Sequence, residues 1–384
     1  MNFEFATATR IIFGAGAINQ VGENAKRLGR RALVVTGGNP SRAKKLLANL
    51  SANGIDSAVF SVTGEPEILT IENGVAFAKK ENCDFVISIG GGSVIDAGKA
   101  IAAMMANDGA LLDYLEIIGA GKPLAKRSAA FIAIPTTAGT GAEVTRNAVL
   151  ASPEHKVKVS LRSPHMLPAI AVIDPEFTYD LPPALTATTG LDALTQLIEP
   201  FICLRANPMT DGFCTDSIQR AARSLREAVF NGQNKSARED MAVASLFGGL
   251  SLANAGLGAV HGFAGPIGGS FPAPHGAICA ALLPHVMAAN LRALRERDPD
   301  SFALRRYDQV ATLLTGNPHA TADVGVDWVQ KLVGELPIPK LGAYGIRGEH
   351  VADLVMKAGK ASSMKANPIV LTPEELAEIL RLAL

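Results

Sequence analysis

Short, unbroken runs of apolar and β-branched residues punctuate the first half of the chain. Ala32–Thr36, Ser57–Phe60, Phe85–Ile89 and Phe131–Ile134 each read as a buried strand. Three of them stop at a breaker: Gly37-Gly38, the triplet Gly90-Gly91-Gly92, and Pro135. Continuous apolar strands with helical stretches between them predict a parallel sheet covered on both faces. Past about residue 180 the pattern changes. Leu181-Pro182-Pro183 marks a break, and Ala and Leu then recur at helical spacing over 187–202, 210–230, 237–254 and 309–314. Almost nothing beyond the break has the look of a strand. The expected architecture is an α/β nucleotide-binding domain over 1–180 followed by an all-α domain over 181–384, with a ligand in the cleft between them.

At 384 residues the chain exceeds what one hydrophobic core usually organises, which agrees with two domains. Lys plus Arg equals Asp plus Glu at 36 each, so nothing electrostatic points to nucleic acid or an anionic membrane. The expected partners are small molecules and further copies of the chain. Cys83, Cys203, Cys214 and Cys279 form no C-x-x-C pair and no zinc-ribbon spacing, a pattern that suits a reducing cytoplasm. The first residues, Met1-Asn2-Phe3-Glu4-Phe5, lack a basic segment followed by an apolar core, so a signal peptide is not expected there. No stretch approaches twenty uninterrupted apolar residues.

Two glycine turns carry the first chemistry. Gly90-Gly91-Gly92-Ser93-Val94-Ile95-Asp96 follows a strand and opens a helix running through Lys99 to Met105. Glycines let a backbone approach a pyrophosphate, and a helix N-terminus offers unpaired N–H groups and a positive dipole end. Gly91, Gly92, Ser93 and Asp96 are therefore candidate cofactor contacts, although the run is not a G-x-G-x-x-G fingerprint and a simple tight turn is the plainer reading. The second unit, Pro135-Thr136-Thr137-Ala138-Gly139-Thr140-Gly141-Ala142-Glu143, also follows a strand. Alone it reads as a cap plus turn; paired with the first it favours a dinucleotide. Gly14-Ala15-Gly16 is taken as turn chemistry only.

The helical half holds a polar constellation. Asp192 and Gln196 lie four apart on one helical face, and His261 and His275 sit in glycine-rich, otherwise apolar text. One carboxylate and two imidazoles suit a divalent ion with an open coordination position. Histidines in apolar text are as a rule hydrogen-bonded core residues, and these three residues are far apart along the chain, so the residues alone leave both readings open.

At this point the chain resembles the iron-containing (group III) alcohol dehydrogenases of the dehydroquinate-synthase-like fold. The resemblance runs from Ile11-Ile12-Phe13-Gly14 through the Gly90–Lys99 and Pro135–Glu143 motifs, Asp174-Pro175-Glu176, the Leu181-Pro182-Pro183 break and Gly190-Leu191-Asp192-Ala193-Leu194. It continues to Pro274-His275-Gly276, Leu283-Pro284-His285-Val286 and Asn367-Pro368. It implies NAD or NADP across the two glycine turns, with Thr136, Thr137 and Thr140 near the ribose and pyrophosphate and Lys158 as a further nucleotide contact. It also implies a catalytic divalent ion, typically iron and sometimes zinc, with Asp192, His261 and His275 matching three of four ligand positions. The implied reaction is hydride transfer between a small alcohol and its aldehyde or ketone, in a homodimer or larger assembly. A related lyase or polyol dehydrogenase of the same fold is a rival, and so is a dinucleotide-binding protein whose catalytic site has decayed.

The chain departs from that pattern in four places. The fourth ligand position, normally His, is Gln196, which leaves three options: coordination through the amide oxygen, a metal on three protein ligands, or a weak or empty site. Four residues after His261, where the family often has a second His that relays a proton, stands Gly265. After the first strand NAD-preferring members often carry an Asp that repels a 2′-phosphate; here Gly37 and Gly38 follow Thr36, so NADPH is expected to be tolerated or preferred. Glu65-Pro66 replaces a frequent Asn-Pro and places a carboxylate of unassigned role. The expected substrate lining, Asn147, Leu252, Phe263 and Phe271, is mostly apolar and favours a modest alcohol or aldehyde.

Overall fold

The computed structural model describes residues 2–155 and 157–384. These divide into two compact units, one of Ala6–Thr137 with Gly141–Thr178, the other of Tyr179–Leu384 with Ala138–Thr140 and the N-terminal residues up to Phe5.

The first unit is α/β. Its strands are β1 (Arg10–Phe13), β2 (Arg31–Thr36), β3 (Asp56–Ser61), β4 (Phe85–Gly90), β5 (Phe131–Pro135), β6 (Asn147–Ser152), β7 (Val157–Arg162) and β8 (Ile170–Ile173). Six of them form one all-parallel sheet in the order β1-β8-β5-β4-β2-β3. β6 and β7 pair antiparallel as a separate hairpin. The four apolar runs of the sequence become β2 to β5. β1 and β8, four residues each, and the hairpin are additions that run length did not reveal. Within β2, Leu33 and Val35 join the core on one face while Ala32 and Val34 join the core on the other. That alternation in a wholly apolar run is the mark of a strand buried on both sides.

The order 3-2-4 is functionally important. The chain leaves β2 for β3 on one side and returns to β4 on the other, so the strand order reverses between β2 and β4. In open parallel sheets ligands settle at the carboxyl ends of strands where the order reverses. The register brings those ends level: Thr36 lies beside Ile89, and Gly90 beside Pro135.

Glu143, in a short 3-10 turn after the second glycine motif, is 2% exposed. Burial pushes its carboxyl up to about 7, outweighing a backbone hydrogen bond and the nearby Lys99. The folded chain thus binds this proton more tightly than the unfolded chain does. Its contribution to stability is full below the ordinary pKa of 4.5 and is lost as pH rises through about 7. Glu143→Gln is therefore expected to stabilise the protein by about 2–3 kcal/mol at pH 8 and by less than about 1 kcal/mol at pH 5. Thermal unfolding of both proteins at the two pH values checks this; an equal gain at both would refute it.

The second unit is helical throughout. The sequence-predicted helices appear as Pro183–Ile202, Pro208–Phe230, Lys235–Asn254 and Phe302–Thr315. Ala259–Ser270, His275–Arg297, Ala322–Glu335, Val351–Gly359 and Pro373–Ala383 complete the set of longer helices among the described residues. A large hydrophobic core built around Leu191, Leu194, Ile198, Phe263, Leu283 and Tyr307 joins them. His275–Arg297 is long and apolar enough to cross a bilayer, yet 83% of its apolar window is buried, which makes it a core helix of this unit.

Candidate metal centre and dinucleotide turns

Four side chains from three helices meet inside the helical unit. Asp192 belongs to Pro183–Ile202, a helix with fifteen buried residues. His261 lies in the first turn of Ala259–Ser270, and His275 is the first residue of His275–Arg297 with Cys279 one turn further on. One donor atom from each of Asp192, His261, His275 and Cys279 falls within 4.8 Å of all the others. Asp192 Oδ1 stands 3.6 Å from Nε2 of both histidines. Those separations exceed hydrogen-bond lengths, while ligands arranged around a small cation are spaced about this far apart.

The surroundings aim these donors. Glu199, one helical turn beyond Gln196, is 3% exposed. Its Oε2 accepts from His261 Nδ1 at 2.6 Å and its Oε1 accepts from the Val260 N–H at 2.7 Å. A carboxylate on Nδ1 fixes the tautomer and turns Nε2 toward the cluster, as carboxylates do behind metal-ligating histidines. Gln196 is buried beside Asp192: its Nε2 donates to Asp192 Oδ1 at 3.1 Å, and its Oε1 has no hydrogen-bond partner among the described residues. A buried carbonyl oxygen without a donor is costly and wants a cation or a hydroxyl.

Electrostatics agree. Burial would raise the Asp192 carboxyl, but His275 and His261 outweigh it and hold the group below the usual carboxylate range. Burial would lower both imidazoles, but Cys279 with Glu199 pulls His261 well above its ordinary value, and Cys279 with Asp192 brings His275 to about 9. The His275 side chain is 37% exposed, so solvent screens part of its shift. The cluster is rich in negative charge and attracts either protons or a cation. The residues present therefore fit a divalent ion.

In the α/β unit, Gly91, Gly92 and Ser93 sit at the start of the helix Gly92–Ala106, just past the end of β4. Gly37 follows β2; a Cβ there would lie 3.7 Å from Val94. A Cβ on Gly91 would lie 3.6 Å from Thr137, so the two glycine turns are neighbours. The Thr136 N–H donates to Gly90 O, tying them together. Thr140 falls in the segment Ala138–Thr140, which groups with the helical unit.

Two residues expected at the cofactor have partners of their own within the fold. Asp96 is committed within the fold: Oδ2 accepts from the Val149 N–H and Oδ1 lies 3.0 Å from Lys99 Nζ. Lys99 is buried and also donates to Thr145 Oγ1 and Asn147 O. Lys158 pairs with Glu65 at 3.1 Å, which gives that carboxylate the role the sequence left unassigned. Of the expected substrate lining, Phe263 is wholly buried in the core and Asn147 begins β6 of the α/β unit.

Comparison with known proteins fits this geometry. Residues 8–175 match the family model for iron-containing alcohol dehydrogenase, and residues 186–384 match the C-terminal domain model of the Fe-containing alcohol dehydrogenase family. The chain belongs to the iron-containing alcohol dehydrogenase family. It is 37% identical to a 1,3-propanediol dehydrogenase of Citrobacter freundii, over 99% of this chain and 98% of that protein. It is 34% identical to an NAD-dependent methanol dehydrogenase of Bacillus methanolicus, over 97% of each. A solved 1,3-propanediol oxidoreductase superposes with a TM-score of 0.93 at 35% identity, covering both chains fully. As a member of this family the chain is an oxidoreductase. The rival reading, a binding protein with a decayed site, finds no support in these comparisons.

Two site residues escaped sequence reading. Cys279 stands four residues after His275 on the same helical face, a spacing visible in the sequence once Gly276–Ile278 are recognised as helical. Glu199 had a weaker signal, a second acid in an apolar helix seven residues after Asp192.

Proposed function

We propose that this enzyme interconverts a small alcohol and its aldehyde or ketone, with NAD or NADP on the turns at Gly37, Gly91–Ser93 and Thr136–Thr137 and a divalent ion on Asp192, His261 and His275, with Gln196 beside them. The convergence of those donors, braced by Glu199, carries the reading. When bound, the dinucleotide supplies or takes up hydride and the cation polarises the substrate oxygen. The protein's own share is positional. Glu199 holds the His261 ring, and Gln196 steadies the Asp192 carboxylate through its amide N–H. The Gln196 Oε1, buried without a hydrogen-bond partner among the described residues, stands ready to accept a hydrogen bond from a hydroxyl, while the proton itself leaves through another group because Gly265 supplies no imidazole. Thr140 and Lys158 complete the proposed nucleotide contacts, Lys158 with its charge partly answered by Glu65. Asp96 acts indirectly, by bracing β6. A small apolar alcohol, a cytoplasmic setting and a homo-oligomer complete the proposal.

Metal analysis of the purified enzyme, together with aldehyde reduction using NADH and NADPH, tests it. Stoichiometric metal with turnover supports the reading; metal-free protein without turnover on any small aldehyde defeats it.

Cofactor choice is a separate prediction. Gly37 lacks a left-handed backbone, and a side chain there meets only an ordinary contact with Val94, so a carboxylate fits without strain. Gly37→Asp is expected to weaken NADPH binding by roughly ten- to a hundredfold, through like-charge repulsion of about 1.5–3 kcal/mol, and to spare NADH. Equal loss of both cofactors would show that Gly37 does not face the 2′ position.

A further inference from the structure

We propose that the Cys279 thiolate is the fourth protein donor of the metal centre, replacing the imidazole that Gln196 does not supply, so that the protein donors form an Asp–His–His–Cys tetrahedron suited to zinc over iron, to which the substrate oxygen adds as a fifth ligand. This rests on the metal centre proposed above and goes further in naming the donor set and the ion.

The geometry carries the assignment. Cys279 Sγ lies 3.7 Å from His275 Nε2 and 3.9 Å from His261 Nε2. The same two nitrogens lie 3.6 Å from Asp192 Oδ1. A tetrahedral zinc with bonds of about 2.0–2.1 Å to N and O and about 2.3 Å to S spaces its donors about 3.3 Å apart for N and O, and about 3.6 Å for N and S. These four edges are somewhat longer than that and follow the same order, with all six within 4.8 Å, whereas cis donors of an octahedral ion would stand only about 2.9 Å apart.

The helix explains how the sulfur reaches the site. His275 and Cys279 are one turn apart, so both side chains project from one face toward Asp192. Cys279 is wholly buried. It differs from the other buried thiols, Cys203 and Cys214, which lie away from this donor cluster, Cys214 donating to Ser251. Gln196 then keeps its bond to Asp192 and stands behind a ligand instead of being one. The departure at position 196 and the thiol at position 279 become parts of one rearrangement. A thiolate is the softest donor in the set and biases the site toward zinc, which also binds N and S donors more tightly than ferrous ion does.

The test loads chelator-treated full-length protein with Co2+ alone, without air. The wild type is expected to show intense near-ultraviolet thiolate-to-cobalt absorption and tetrahedral visible bands. Cys279→Ser is expected to take up cobalt and lose the near-ultraviolet absorption, while Gln196→Ala retains it. In uptake from equal Zn2+ and Fe2+, the zinc-to-iron ratio is expected to fall roughly tenfold or more in Cys279→Ser. Should that variant fail to fold, X-ray absorption of the zinc-loaded wild type must show one sulfur neighbour at about 2.3 Å. Cobalt uptake by the wild type without thiolate absorption, or zinc without a sulfur neighbour, overturns the Cys279 assignment and leaves the metal centre standing. No cobalt uptake by the wild type overturns both.

Discussion

His261→Ala is expected to empty the metal centre and to lower kcat by on the order of a thousandfold or more, while the dinucleotide Kd stays essentially unchanged. Several kcal/mol of transition-state stabilisation come from a cation on the reacting oxygen, and each 1.36 kcal/mol is about tenfold in rate. His261 is 8% exposed and pinned through Nδ1 to Glu199. Removing the ring takes away one ligand and leaves the Glu199 carboxylate buried with, among the described residues, the Val260 N–H as its remaining donor. His275→Ala is expected to act in the same direction. The glycine turn at Gly91–Ser93 belongs to a different compact unit, which is why cofactor affinity separates from turnover. Metal content, steady-state kinetics and calorimetric titration with the dinucleotide decide the matter. Near-normal turnover in either variant would show that these histidines do not hold the catalytic ion.

The second large effect is on folding. Gly98→Val is expected to destabilise the α/β unit by about 3 kcal/mol or more and to abolish dinucleotide binding with it. Gly98 lies in the helix that the first glycine turn opens, and a Cβ there would stand 1.9 Å from Ser88 Oγ and 2.9 Å from the Phe131 ring. Ser88 cannot yield easily, because its hydroxyl donates to Val94 O and holds the start of that same helix. Any side chain must therefore lift the helix off β4 and β5, and with it the turn at Gly91–Ser93. Gly265→Ala is the control: open space surrounds its Cβ position, and within a helix alanine is worth up to about 1 kcal/mol over glycine. Thermal unfolding of the two variants separates crowding from propensity; a wild-type melting profile for Gly98→Val would refute the packing argument.

The legible parts of the fold were those with unbroken periodicity. β2 to β5 appear where apolar runs end in glycine or proline, and Pro183–Ile202, Pro208–Phe230 and Lys235–Asn254 appear where Ala and Leu recur at helical spacing. The two helices that carry His261, His275 and Cys279 were hidden. Ala259–Ser270 contains Gly262, Gly265, Pro266, Gly268 and Gly269, and His275–Arg297 contains Gly276 and Pro284. Those residues disfavour an isolated helix, and only burial among neighbouring helices offsets the cost. β1 and β8 were hidden for another reason, since four residues at one side of a sheet leave too short a pattern.

By itself the sequence determined the two kinds of architecture and the family, and it pointed to the two glycine turns and to Asp192, His261 and His275, because all of these depend on local composition or on ordered motifs. Tertiary structure alone decided the rest. The reversal of strand order between β2 and β4 sets Gly37 beside the turn at Gly91, and Asp96 and Lys158 find partners in Lys99 and Glu65. Glu199 and Cys279 join the centre only when three helices pack. A ligand set is a matter of distances across the fold, and residues far apart in sequence acquire those distances only through the packing of their helices.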